Sequence, residues 1–191
     1  MFGTCRPVDS VSGEVDGAAS DHQFGIYVRL TLWSPQRVAA WQSTLTLPRE
    51  APLAELRIPR IHLEVPVMEG TSDVTLNRGV GHIEETALPG TSSNSAIAGH
   101  RDGFFRGLTA VNPGDAIELD TLQGTQNYRI ERAWIVTPEE VSALDPTPVQ
   151  SITLVTCYPF YFVGSAPQTL HFAPYVPSHA TWRCGNSSAF V

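Results

Sequence analysis

Ile152-Thr153-Leu154-Val155-Thr156-Cys157-Tyr158-Pro159-Phe160 is the stretch from which the rest of the chain can be read. Apolar and polar residues alternate here as they do in a strand with one buried face. Pro159 cannot donate to a ladder, so Cys157 is expected at or near the strand's end. A thiol there is sterically open and held by a rigid element, which suits a nucleophile. The competing reading is a small buried hydrophobe, the common fate of a free cysteine.

The composition narrows the setting. A chain of 191 residues is long enough for one sizeable core and short for two. Hydrophobic residues make up 42% and charged residues 16%, which excludes a disordered chain. Fifteen glycines and fifteen prolines call for many turns and favour a β-rich fold over a helical bundle. A net charge of −7 argues against nucleic-acid binding, which needs a basic face. Every basic residue other than histidine is arginine, which we ascribe to base composition. Cys5, Cys157 and Cys184 lack metal-type spacing; Cys5 and Cys184 could pair outside the cell. No run approaches the roughly 20 apolar residues of a membrane span, and residues 1–20 show no apolar signal-peptide core.

Residues 1–52 are expected to form an N-terminal segment, partly disordered, with one short helix at about 35–45. Ser34 would cap that helix, Pro35 would open it, and Val38, Trp41 and Leu45 would form its apolar face. From residue 53 the pattern changes to short β runs between turns. Strands are predicted at 53–58, 63–68, 95–99, 116–122, 127–136, 152–157 and 170–175, seven or eight short strands in all, with Gly79-Val80-Gly81-His82 left unassigned among them. A capped helical turn is expected at 73–77, a short helix or turn at 102–108, and another helix at 138–144. This reads as a mostly β, closed, roughly eight-stranded barrel over 53–176, with an irregular tail at 177–191.

The second informative stretch is Ala96-Ile97-Ala98-Gly99-His100-Arg101-Asp102. A histidine leaves a strand of small residues where that strand opens into a loop. Gly99 would allow close approach of another chain, and Phe104 and Phe105 would roof the site. A Cys and a His, each delivered by a strand end, are what a Cys–His nucleophilic site requires.

These residues carry a resemblance. Thr153-Leu154-Val155-Thr156-Cys157 resembles the TLxTC signature of sortases, the cysteine transpeptidases of bacterial cell surfaces, and Ala98-Gly99-His100 resembles the strand end that supplies their histidine. Leu56-Arg57-Ile58-Pro59-Arg60-Ile61, Gly79-Val80-Gly81-His82 and Thr156-Cys157-Tyr158-Pro159-Phe160-Tyr161 look like class D sortases and their relatives in Gram-negative phyla. The likeness spans about 53–168. It implies a sortase-type barrel on the extracytoplasmic side of the cell envelope or cell wall.

The resemblance implies Cys157 as nucleophile on an LPxTG-like sorting signal, through a thioester, and His100 as general acid and base. The acyl group would pass to a cell-envelope or pilin amine. Thr156 with the following amide, and Tyr158, are implied near the oxyanion or substrate. Family members also carry an arginine on the last strand, shortly after a Ser-Ala-Pro-like segment. Here Ser165-Ala166-Pro167-Gln168 leads to Thr169, and the only arginine beyond Cys157 is Arg183, in the tail. Arg101 is a candidate to replace part of that function; the alternative is a solvated partner of Asp102. A degenerate, non-catalytic peptide-binding barrel, or a reading frame shifted near Thr169, would also account for the substitution. A peptidoglycan L,D-transpeptidase fits less well, since that class presents its cysteine in a Ser-His-Gly-Cys-like run.

His82 resembles a structural position of the family, and His62, His171 and His179 are expected to be surface or structural residues. Tyr158, Phe160, Tyr161 and Phe162 are expected to line the groove or pack the loop, with core the preferred reading. Glu69, Glu84 and Glu85 could hold calcium, as loop carboxylates do in some sortases, but their spacing does not demand it. No cofactor or metal is expected.

Overall fold

The computed structural model describes residues 30–48, 50–161 and 168–175. Eight strands close into a barrel: β1 (Ala54–Ile58), β2 (Leu63–Glu69), β3 (Val80–His82), β4 (Asn94–Gly99), β5 (Ala116–Thr121), β6 (Gly124–Val136), β7 (Ser151–Tyr158) and β8 (Gln168–Tyr175). Around the barrel they run β1-β2-β3-β4-β7-β8-β6-β5. Closure leaves no unpaired edge to template aggregation.

Period-two patterning decides which side chains enter the core. Leu56 and Ile58 of β1, Val65 and Val67 of β2, Ile97 of β4, Ile117 and Leu119 of β5, and Ile152 and Leu154 of β7 are completely buried. Burying an aliphatic side chain of this size stabilises by about 1.5–3 kcal/mol, so these alternating positions decide the register. β2 pairs parallel to β3, and β4 parallel to β7; the other neighbours are antiparallel.

Helix α1 (Pro35–Thr44) starts as predicted, with the Ser34 hydroxyl accepting from the Arg37 N–H at 3.1 Å. Trp41 is buried on it, and Trp33 packs edge-on against both Trp41 and Phe104, with centroids 6.3 and 4.8 Å apart. Leu45, expected on the apolar face, is exposed because it lies beyond the last turn, at the C-cap. Helix α2 (Asp73–Arg78) is capped by Ser72.

Three expectations need correction. The helix at 138–144 is confined to a single 3₁₀ turn, Ser142–Leu144. β6 begins at Gly124, earlier than predicted, because the hairpin turns tightly at Leu122 and Gln123. β8 begins at Gln168 and not at residue 170, because it extends its pairing to Tyr158. The part of the N-terminal segment before residue 30, the Cys5 and Cys184 pairing, Phe162, His179, Arg183 and the tail at 177–191 lie outside the described residues.

Candidate active site

β4 and β7 run side by side in parallel, with Gly99 opposite Thr156. The next residue on each is His100 and Cys157. Neighbouring strands lie about 4.8 Å apart, so the two reactive side chains leave the same end of the barrel as neighbours. Cys157 is free and exposed. Its preference for the buried fate of most free thiols is overridden by strand parity. Ile152, Leu154 and Thr156 face inward, whereas Val155 and Cys157 belong to the outer face.

β8 completes the face. Cys157 is opposite Thr169, and Val155 is opposite His171. The position at which the resemblance anticipates an arginine is therefore directly across the ladder from the thiol. It carries a short hydroxyl side chain.

His100 is half-buried, and its Nε2 has no hydrogen-bond partner among the described residues. Burial lowers its pKa below the ordinary value of 6.5; the Arg37 cation acts in the same direction, and Asp102 and Asp73 oppose both. At neutral pH the ring is thus an uncharged imidazole, able to accept a proton.

Thr156 is placed differently from the resemblance's suggestion. Its hydroxyl is buried on the inner side and donates to the Gly99 carbonyl at 2.8 Å, fastening β7 to β4 just behind the reactive pair. Tyr158 ends β7, leans on the core and meets Phe160 edge-on at 6.3 Å. Phe160 is buried, while Tyr161 is exposed beneath the Arg106 guanidinium, 4.2 Å from its ring centroid.

The phenylalanines do not roof the site. A Cβ on Gly99 would lie 2.5 Å from Cδ2 of Phe105, which is completely buried in the core. Gly99 faces inward, so the chain it admits is the Phe105 ring, and Phe104 packs on Trp33.

The turn after β4 carries contacts that reach in two directions. Arg101 donates through Nη1 to the Pro159 carbonyl at 3.3 Å, and Arg106 donates to the Phe160 carbonyl. Asp102 accepts from Arg37 Nε at 3.1 Å and from the Ser34 hydroxyl at 3.3 Å. Arg101 thus holds the chain after the cysteine, and Asp102 is engaged by the N-terminal helix. The sequence offered no signal for this, because Arg37 and Asp102 are 65 positions apart.

His82 is buried and hydrogen-bonded at both ring nitrogens: Nδ1 to Glu69 at 3.1 Å, Nε2 to the Ala87 carbonyl at 3.0 Å and to Thr86 at 3.2 Å. That is a structural histidine. His62 sits in a left-handed turn at φ 50°. His171 is buried beside Trp134, ring centroids 5.6 Å apart, and burial lowers its pKa against the opposing pull of Glu140. Among the described residues no three His, Cys, Asp or Glu side chains group so as to hold a metal ion.

Fold and site together define a closed β-barrel protein that presents a thiol and an uncharged imidazole side by side at one mouth. The chain belongs to the sortase family, of cysteine transpeptidases: the family model for the sortase domain matches residues 56–169. It is 35% identical to Sortase D of Bacillus subtilis over 114 residues, 59% of this chain and 58% of that protein. It is 39% identical to sortase SrtE1 of Streptomyces coelicolor over 125 residues, 56% of this chain and 36% of that one. The chain thus spans under two thirds of either relative. Among solved structures, sortase C-1 of Actinomyces oris matches with a TM-score of 0.61 at 29% identity, covering 76% of this chain and 84% of that one. The barrel of a Clostridium perfringens Sortase D5 transpeptidase matches with a TM-score of 0.60 at 24% identity, covering 73% and 88%. No helix among the described residues is long and apolar enough to cross a membrane.

Proposed function

We propose that this chain is a class D-like sortase that cleaves an LPxTG-like sorting signal through a Cys157 thioester and transfers the acyl group to a cell-envelope or pilin amine. The observation that carries the proposal is the parallel register of β4 and β7, which makes His100 and Cys157 neighbours. The identity to Sortase D of Bacillus subtilis supports the class.

In the proposed reaction the Cys157 sulfur attacks the carbonyl carbon of the Thr–Gly-type bond while its proton passes to His100. His100 then returns that proton to the leaving amine nitrogen as the C–N bond breaks, leaving the thioester. The acceptor amine attacks the thioester, its proton goes to His100, and the C–S bond breaks. The departing sulfur takes that proton from His100, which restores the starting thiol and neutral imidazole with no cofactor consumed. The lowered pKa of His100 favours this role, since the neutral ring must accept a proton first.

Thr169 has neither the charge nor the forked donors of arginine. Arg101, anchored on the Pro159 carbonyl, is the candidate to stabilise the oxyanion in its place, and Tyr158, the residue before Pro159, is the second candidate. The acceptor reading and the envelope location are supported by family membership alone.

Intact mass after incubation with LPxTG-like peptides tests the reading. An acyl adduct on the native chain, absent from Cys157→Ala, is expected. A matched adduct on both would place the chemistry elsewhere. Its absence from the native chain across a panel of sorting peptides would favour a non-catalytic peptide-binding barrel.

A further inference from the structure

We propose that helix α1 is part of the active site, and that Arg37 is a positioning residue that sets His100 against Cys157. The inference deepens the proposed function and rests on it for its consequence in catalysis. Its structural core stands on contacts among described residues. α1 also lies wholly outside the segment that matches the sortase domain, which begins at residue 56.

Arg37 is fixed from several sides. Its Nε donates to Asp102 Oδ1 at 3.1 Å, and its Nη1 donates to the Asn77 side chain on α2. The Ser34 hydroxyl, which caps α1, also donates to the other Asp102 oxygen. One carboxylate on the histidine turn thus receives donors from both the first turn of α1 and its cap. Both partners of the pair are partly shielded from water, so it is worth more than a freely solvated ion pair.

The same guanidinium stem closes on the turn itself. A Cβ built on Gly103 would meet Arg37 Cδ at 3.4 Å and the His100 Cβ at 3.4 Å. Arg37 and His100 therefore flank Gly103. On its other side the turn is tied to the chain after Cys157, through Arg101 to the Pro159 carbonyl and Arg106 to the Phe160 carbonyl. The turn is a bridge. Arg101 and Arg106 fasten it to the cysteine loop, and Asp102, between them in the chain, fastens it to α1 through Arg37.

Arg37 acts on the ring electrostatically as well. The charges facing His100 are Arg37 from α1, Asp73 from α2, and Asp102 on its own turn; Arg37 lowers the pKa, and the two aspartates raise it. Arg101 adjoins on the same turn, and the Cys157 thiol adjoins from β7. A role in mere anchoring and a role in setting the ring therefore predict different results. Removing the cation should raise the His100 midpoint. Removing the Asp102 charge should lower it.

The test is an NMR titration of the imidazole resonances of the full chain, with His100→Gln to assign the signal. Arg37→Met, which keeps the stem, should move the midpoint up; Asp102→Asn should move it down; Arg37→Lys should restore most of the native value. Acylation of Cys157 by an LPxTG-like peptide should fall on the order of 10- to 100-fold in Arg37→Met through misplacement of the ring. Its acid limb should move to higher pH, with partial rescue by Arg37→Lys. Midpoints that stay put, or move the same way in Arg37→Met and Asp102→Asn, would overturn the proposal. So would native acylation in a folded Arg37→Met. If Arg37→Met does not fold, Asp102→Asn and Arg37→Lys decide it by the same midpoints. A native chain that never acylates counts against the thioester reading, and the titration alone then decides the role of Arg37.

Discussion

Thr169 is where one side chain matters most. It lies across the ladder from Cys157, where an arginine could turn one edge of its donor fork, two N–H groups at most, toward the oxyanion of the proposed reaction. Losing one such donor typically costs on the order of 100- to 1,000-fold in turnover. Thr169→Arg is accordingly expected to accelerate acyl-enzyme formation by up to that factor, read as adduct per unit time by intact mass. An unchanged rate would mean that Arg101 already supplies the charge. Gly99 is constrained for a different reason. Its missing Cβ is the space that Phe105 occupies, so Gly99→Ala forces a fully buried ring to move. Overpacking of this kind costs about 1–3 kcal/mol. For a chain of this size each kcal/mol lowers the melting midpoint by roughly 2–4 °C, which calorimetry of Gly99→Ala would detect. Neither effect follows from residue type alone: the first needs the register of β8, the second the inward parity of β4.

At the scale of elements, the reactive end of the barrel is held by connections as well as by strands. Asn94, buried at the start of β4, donates to the Ala143 carbonyl at 2.9 Å and the Asp145 carbonyl at 3.3 Å, and accepts from Thr153 at 2.9 Å. One amide thus joins β4, β7 and the connection between β6 and β7. Asn94→Ala would strand these buried partners, at a cost of about 1–3 kcal/mol for each group left unsatisfied. Faster hydrogen exchange at 142–145, with the barrel strands less affected, is the expected signature. Uniform exchange would mean that the connection is held by other contacts. The helix predicted for this region failed here because the segment satisfies its polar groups outward, on Asn94 and Thr153. Local helical pattern was a poor guide once partners 49 or 51 residues away were available.

The whole molecule is tuned to a pH range by groups that burial shifts. His100 and His171 both titrate below the ordinary value of 6.5 in the fold, chiefly through desolvation. The unfolded chain then binds their protons first as pH falls. Stability is therefore lost from about pH 6.5 downward, through the lowered folded midpoints, until both states are protonated. Tyr128 bounds the other side. Its buried phenol is pushed up to about 12 from 10.0, although Gln150 donates to it. The folded state keeps that proton longer, so stability is lost as pH rises above about 10. Melting midpoints followed across pH should show both limbs. His171→Gln should flatten the acid limb and Tyr128→Phe the alkaline one; limbs unaltered by these changes would place the linkage on other groups.

How much was legible before folding follows from these same residues. Alternation in Ile152–Cys157, the small residues of 95–99 and the spacing of the turns were enough for a β-barrel with a thiol and an imidazole at strand ends. Such patterns are local: period two writes burial directly into the sequence. The same text names the sortase family through two short motifs. What it could not carry is anything set by pairing across distance. That Thr169 meets Cys157, that Thr156 spends its hydroxyl on Gly99, and that Asp102 answers to Arg37 are consequences of register and of α1 docking on the histidine turn. The sequence by itself determined the barrel and the thiol and imidazole at its strand ends, because their pattern is periodic and local. Only the tertiary structure decided what surrounds them, because hydrogen bonds and charges act through space between residues the chain keeps far apart.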